Sequence, residues 1–325
     1  MEAVAELCLP QLNASCRRSL QPRSEAVLVC SLQSLVAMLT VLLNLLVIVS
    51  ISHFRQLHTS TNLLVLSLAV VDLLVGLLQM PIEIILYRGC WLLSDFICTV
   101  NFSLGYLLVS VSVGNLVLIS VDRYVAVCKP MFYSTKVTVG RVQLSVCLCW
   151  FCSAVHSCWI LRDFLREQDG LSFCYGECVV AVTYAQVAVD LVVTFLGPFV
   201  VVTLLYVRVF VVAVSQARAV RSQVEAVALP CSEAPKPRKA ELKAARTLGV
   251  VVLVFLLCSA PYYIFTIATE ISSIGGTSAA IWLLYSNSCI NPVSYTFFYP
   301  WFRKSIKLIV TLRILQPGSC DTNMP

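Results

Sequence analysis

Seven times along this chain a long stretch passes with almost no charge. The stretches are residues 26–52, 59–71 continuing past Asp72 to 82, 99–121, 142–160, 191–207, 247–269 and 278–299. A helix rises about 1.5 Å per residue, so each is near or above the length that crosses a hydrocarbon core of about 30 Å. The expected fold class is therefore an all-α membrane protein, a seven-transmembrane helix bundle at 25–299. A polar tail at 1–24 precedes it, and a short amphipathic eighth helix with a tail at 300–325 follows. The fifth span is extended upward through Asp190 to include 179–189. Residues 1–23 lack an apolar core, so no signal peptide is expected. Charged residues make up 12% of the chain, against about a quarter in soluble domains.

Lys and Arg set the orientation. One set of loops carries Arg55, Arg123, Lys129, Lys136, Arg141, the basic run from Arg208 to Arg246, and Arg303, Lys304, Lys307 and Arg313. The other carries only Arg17, Arg18, Arg23, Arg88, Arg162 and Arg166. The richer side is cytoplasmic by the positive-inside rule, which leaves the N-terminus outside. The net charge of +6 is then an inner-loop property, suited to anionic lipid and partner contact and not to nucleic acid. The third inner loop, about 213–242, is polar, contains Pro230, Pro235 and Pro237, and reads as mobile. Residues 301–315 place Lys and Arg opposite apolar residues, as in a helix lying on the inner surface. Cys320 beyond it is a palmitoylation candidate.

The third apolar stretch joins the two sides. Arg123 lies 18 residues after Gly105 and 25 after Cys98, close to whole numbers of helical turns. A cysteine, a missing side chain and an arginine thus share one helix face. Outside, Asn13 lies in a glycosylation pattern, Asn13-Ala14-Ser15. Cys16, Cys98, Cys174 and Cys178 allow three pairings, of which Cys98–Cys178 with Cys16–Cys174 is one. His53, His58 and His156 are scattered, and no zinc-ligand spacing occurs.

Two carboxylates fall inside the spans. Asp72 sits near mid-membrane, where a carboxylate faces the bundle interior. Ser112, Asn287, Ser288 and Asn291 are its candidate partners around a hydrated cation; the bland alternative is a neutral, hydrogen-bonded Asp. Asp190 lies about two turns below the outer surface and eight residues before Pro198. No Lys or Arg occurs at that depth in any span. The expected partner is therefore a ligand ammonium. Tyr106, Tyr262, Tyr263, Trp282 and Tyr285 are its expected aromatic walls, and Gly105 its expected room. Glu83, Glu177 and Glu270 near the outer surface would draw cations in, and could hold a second ammonium on a diamine. At the inner end, Glu241 is a candidate partner for Arg123, or else a solvated surface residue.

These residues resemble a known family over nearly the whole chain. Asn44, Asp72, Asp122-Arg123-Tyr124, Trp150, Pro198, Pro261 and Asn291-Pro292 with Tyr295 each match a one-per-helix landmark of rhodopsin-like G-protein-coupled receptors. The stretches LHTSTNLLVLSLAVVDLLVG, VDRYVAVCKP, KAARTLGVVV and NPVSYTFFYPWFRKS resemble trace-amine-associated receptors of the fish olfactory type. The Cys16 and Cys174 pair resembles that family's extra tail-to-loop disulfide.

The resemblance implies an olfactory amine receptor of the plasma membrane working through a stimulatory G protein. It implies a sodium and activation network of Asp72, Ser112, Asn287, Ser288, Asn291 and Tyr295. It also implies an inner switch of Asp122, Arg123, Tyr124, Tyr206 and Glu241. Two departures stand out. Gly105 replaces the third-helix Asp that anchors amines in most amine receptors, with Asp190 the expected replacement. Ser259 replaces the sixth-helix tryptophan before Pro261, leaving Phe255, Tyr262 and Tyr263 as the aromatic candidates for that switch.

Other functions fit less well. A transporter would show a repeated hydropathy pattern and broken helices. A membrane enzyme would show a nucleophile–base pair or a metal cluster. An opsin would carry Lys where Tyr285 stands. A rhodopsin-like receptor for a non-amine ligand remains the main alternative.

Overall fold

The computed structural model describes residues 5–11, 15–19, 23–87, 89–163, 174, 176, 178–180, 182–226, 253–266, 274–298 and 300–324. Helix α1 spans Arg23–His53, α2 spans Ser60–Tyr87, α3 spans Asp95–Cys128 and α4 spans Val139–Ile160. Helix α5 begins as Tyr184–Leu191 and, after a π turn at Val192–Leu196, continues as Gly197–Ala226. Helices α6 (Leu253–Thr266), α7 (Ile274–Phe298) and α8 (Pro300–Val310) complete the bundle. Among the described residues α1 to α5 are long and apolar enough to cross a membrane. Helix α5 runs to Ala226, so residues 213–226 are helical and not part of a loop. Six of these, from Ser215 to Gln223, are polar or charged, which reads as loop, but Arg, Gln and Ala are good helix formers.

Helix starts follow local chemistry. Thr59, Ser94 and Thr183 each accept a hydrogen bond from a first-turn amide at α2, α3 and α5, satisfying donors that a helix start leaves open. Prolines then shape the spans. Pro292 has no N–H, which frees the carbonyl of Ser288 one turn earlier. Asn44 Nδ2 donates to that carbonyl at 3.0 Å and to Thr40 O at 2.9 Å. A single polar residue in α1 thus ties α1 to α7. Helix α3 is the axis, packed on α2, α4 and α5.

The outer face is a disulfide-stapled cap. Cys98–Cys178 and Cys16–Cys174 are bonded. A third bridge, Cys8–Cys90, was not foreseen; both cysteines lie outside the apolar spans, which was its one signal in the sequence. The tail also forms a short antiparallel ribbon, β1 (Ala5–Leu7) on β2 (Arg17–Ser19), pairing Glu6 with Arg18. Gly176 adopts φ +99°, and a Cβ there would fall 2.9 Å from Cys8 Cβ. Only glycine lets the tail pass this close. Asn13 lies outside the described residues.

At the inner end, α8 buries Trp301, Phe302 and Ser305 and leaves Arg303 exposed. The last residues fold back on the foot of α1 through His53–Ser319 (2.9 Å), Arg55–Asp321 (3.4 Å) and Gln56–Met324 (2.7 Å). Cys320 is half-buried in that turn.

Candidate functional site

Asp190 is reached from a small cavity of about 30 Å³ near the outer end of the bundle. Its walls include Tyr106 of α3, Ile160 of α4, Gln186 and Val187 of α5, and Tyr262, Tyr263 and Thr266 of α6. The π turn aims Asp190. One extra residue in a turn rotates everything upstream by about 100° relative to a regular helix. Gly197 N–H bonds Val192 O to close that turn. A Cβ on Gly197 would sit 2.8 Å from the same oxygen, so the turn needs glycine there. Gly197→Ala is expected to cost about 1–3 kcal/mol through overpacking, read as a lower Tm of the detergent-solubilised protein. An unchanged Tm would show that the backbone accommodates the methyl.

The polar geometry around Asp190 is lopsided. Thr194 Oγ1 donates to Asp190 O at 2.6 Å and lies 3.3 Å from Oδ1. Tyr263 OH meets Thr194 Oγ1 at 2.5 Å and stacks on Phe195 at 4.8 Å. His156 Nε2 stands 3.7 Å from Oδ1. Among the described residues no donor meets Oδ2. Asp190 is 9% exposed, so an aromatic, largely buried site holds a carboxylate with one open oxygen.

Three sequence expectations change here. His156 approaches Asp190 from α4, so the protein itself supplies a basic group at this depth, which the absence of Lys and Arg from the spans does not reveal. Trp282 and Tyr285 do not line the Asp190 cavity. They pack with Val71, Val75 and Met80 in an α2–α7 core. The gap at Gly105 is not room for a ligand beside Asp190 either. Tyr285 OH donates to Gln79 Oε1 at 3.3 Å, Gln79 Nε2 donates to Asn101 O at 3.1 Å, and both side chains come within 3.4 Å of where a Cβ on Gly105 would stand. Glu83, one turn beyond Gln79, is buried and makes no hydrogen bond or ion pair among the described residues. Glu177 and Glu270 lie outside the described residues.

Gln186 is a further site residue that the sequence did not single out. Its Oε1 accepts from Thr183 N at 2.7 Å, and its Nε2 donates to Asp163 at 2.9 Å. It thereby links the cap of α5 to the end of α4 while facing the cavity.

Two polar clusters lie deeper. Asp72 is fully buried; Asn291 Nδ2 donates to its Oδ2 at 2.8 Å, while Oδ1 has no hydrogen bond. Ser112, Asn287 and Ser288 are buried on the helices packed against α2. Tyr295 lies on α7. Ser259 is fully buried with an unbonded hydroxyl, and Phe255 is in the core. At the inner end Asp122 accepts from Thr61 (3.0 Å), Tyr133 (3.0 Å) and Arg123 Nη2 (2.6 Å). Arg123 also donates to Thr61. Burial pushes the Tyr133 phenol up, which keeps it a donor. Arg123 is therefore held toward α2 and its own neighbour, with Tyr124 packed by Val127 and Val209. Tyr206 packs against the inner core. Glu241 lies outside the described residues.

The comparisons with known proteins agree with this architecture. Residues 43–295 match the model of the 7 transmembrane receptor (rhodopsin family). The chain is 37% identical to trace amine-associated receptor 13c of Danio rerio, covering 98% of this chain and 96% of that one. It is 39% identical to trace amine-associated receptor 7e of Rattus norvegicus, covering 98% and 92%. This chain belongs to the trace amine-associated receptors. The receptor is a multi-pass plasma-membrane protein with an extracellular N-terminus, not an enzyme, and as a class A receptor it answers a ligand and engages a heterotrimeric G protein.

Proposed function

We propose that this receptor is activated by small protonated amines, that Asp190 is the anchor for the ligand ammonium, and that it serves olfaction through a stimulatory G protein. The observation that carries the reading is the open Oδ2 of Asp190 in a buried aromatic cavity. An unpaired carboxylate there is costly, and a ligand ammonium removes the cost while tyrosine faces add cation–π attraction. The names of the relatives support an amine, and the resemblance to fish olfactory members supports the sensory role.

Binding draws α5 and α6 together, since Asp190, Thr194 and Tyr263 form one bonded chain across them. The ligand favours the bundle state in which that contact is tightest. At the inner end the Thr61–Asp122–Arg123–Tyr133 network opens, and the G protein docks against the inner loops. The test is cAMP accumulation in cells expressing the receptor, against n-alkylamines from ethyl to octyl, arylalkylamines and the matching diamines. A concentration-dependent rise is expected. Silence across the panel, with the receptor at the surface, would favour a non-amine ligand.

The Asp72 cluster supports a sodium ion. Asp72 Oδ1 is a buried oxygen without a donor, the kind of ligand a hard cation takes. Ser112, Asn287 and Ser288 would add neutral oxygens. Sodium is expected to lower agonist affinity in the wild type and not in Asp72→Asn, read by agonist competition with and without sodium. Equal sodium dependence in both would remove the ion from Asp72.

A further inference from the structure

His156 presents an anomaly. Both its ring nitrogens are buried, and neither has a hydrogen-bond partner. Leaving one buried polar atom unbonded costs more than a typical hydrogen bond contributes. One of these nitrogens, Nε2, faces Asp190 Oδ1 across 3.7 Å. That is too long for a hydrogen bond, and a closed imidazolium–carboxylate pair would sit about 1 Å nearer. The gap is what two acceptors show when a donor belongs between them. A neutral imidazole has one bare nitrogen that accepts, and a carboxylate only accepts.

Among the described residues none supplies such a donor. Thr194 Oγ1 is already engaged by Asp190 O and Tyr263. The cavity comes within one helical turn of His156: Ile160, four residues along α4 and on the same face, forms part of its wall together with Asp190, the residue that His156 faces.

We infer that His156 is a specificity-determining residue, accepting a second N–H from the ammonium held by Asp190, so that the receptor selects primary and secondary amines over tertiary and quaternary ones. The inference rests on the Asp190 reading and deepens it. A nitrogen about 2.8–3.0 Å from each acceptor closes the 3.7 Å gap with an N–H on either side. A primary or secondary ammonium has at least two N–H groups and can serve both acceptors. A tertiary ammonium has one and leaves His156 unbonded. A quaternary ammonium has none.

The experiment takes the most potent n-alkylamine of the ethyl-to-octyl series and its N-methyl, N,N-dimethyl and N,N,N-trimethyl derivatives. EC50 is measured on the wild type, His156→Phe, His156→Leu and His156→Gln, with surface level recorded for each. In the wild type, EC50 should rise about tenfold or more between the N-methyl and N,N-dimethyl compounds, the loss of one hydrogen bond to a charged group. In His156→Phe and His156→Leu the primary amine should weaken and that step should shrink to within about threefold, because the acceptor is gone in both. His156→Gln restores an acceptor and should restore the step. An equal step in the wild type and the acceptor-free variants would mean steric exclusion and would overturn the inference, as would a wild type with no step. A wild type with no step overturns the inference without any variant, and where one acceptor-free variant fails to reach the surface the other carries the comparison. Asp190→Asn in the same assay separates the two readings. If it responds like the wild type, the anchor itself is wrong. If it is silent while the step ignores His156, only the role of His156 falls. Silence of the wild type to the whole series overturns both.

Discussion

Asp190→Asn is expected to raise the EC50 of the best amine agonist by about 30-fold or more with the receptor still at the surface. Asn has the same shape and keeps an oxygen for the Thr194 hydroxyl, so the π turn and the α5–α6 contact survive. What disappears is the charge. Truncating one side of a buried, hydrogen-bonded ion pair costs about 2–5 kcal/mol, and each 1.4 kcal/mol is tenfold in affinity. A surface pair would give far less, about 0–1 kcal/mol; burial at 9% exposure is what places Asp190 in the larger class. Asp190→Glu should recover only part of the potency, because the longer side chain displaces the charge in a cavity of about 30 Å³. A receptor whose EC50 moves less than about threefold in Asp190→Asn does not anchor its ligand there.

The second large effect is on folding. Cys98→Ala is expected to reduce surface expression to a small fraction of wild type and to abolish the response of what remains. The Cys98–Cys178 bridge closes a separation of 80 residues, for which chain entropy gives about 4.5 kcal/mol. The true figure is smaller, because helices that stay inserted already restrict the unfolded chain. Even about 2–4 kcal/mol is a large share of a typical stability of 5–15 kcal/mol. Both sulfurs are buried beside Trp91, so Cys98→Ala also leaves a buried thiol and a gap. The functional loss has a geometric cause. Cys178 lies just before Thr183, the cap of α5, so the bridge sets where the helix bearing Asp190 begins. Cys8→Ala should be milder, since Cys8 ties the tail to Cys90 and not to α5. Surface immunoassay on intact cells, paired with agonist dose–response, reads both. Near-normal expression and response in Cys98→Ala would remove the bridge from the folding argument.

Much of this receptor was legible in the residues because the membrane imposes simple rules. Length without charge marks a span, Lys and Arg mark the inner side, and a buried carboxylate marks a site. Asp72 and Asp190 were identifiable as buried carboxylates on that basis alone, and Asn44 as a landmark of the first helix. The partners of those residues were not. Asn44 bonds Ser288 because a proline one turn later frees that carbonyl, a match between helices far apart in sequence. A regular helical wheel misplaces the residues above Val192, since the π turn rotates them by one residue's worth of angle. The space at Gly105 looked open because its occupants, Gln79 and Tyr285, come from α2 and α7. His156 looked isolated because the apolar span 142–160 carries no Asp, Glu, Lys or Arg. Local chemistry thus determined the spans, their orientation, the helix caps and the cost of each buried charge. Only the packing of one helix on another decided who meets each charge, because a few degrees of helix rotation exchange one facing side chain for another.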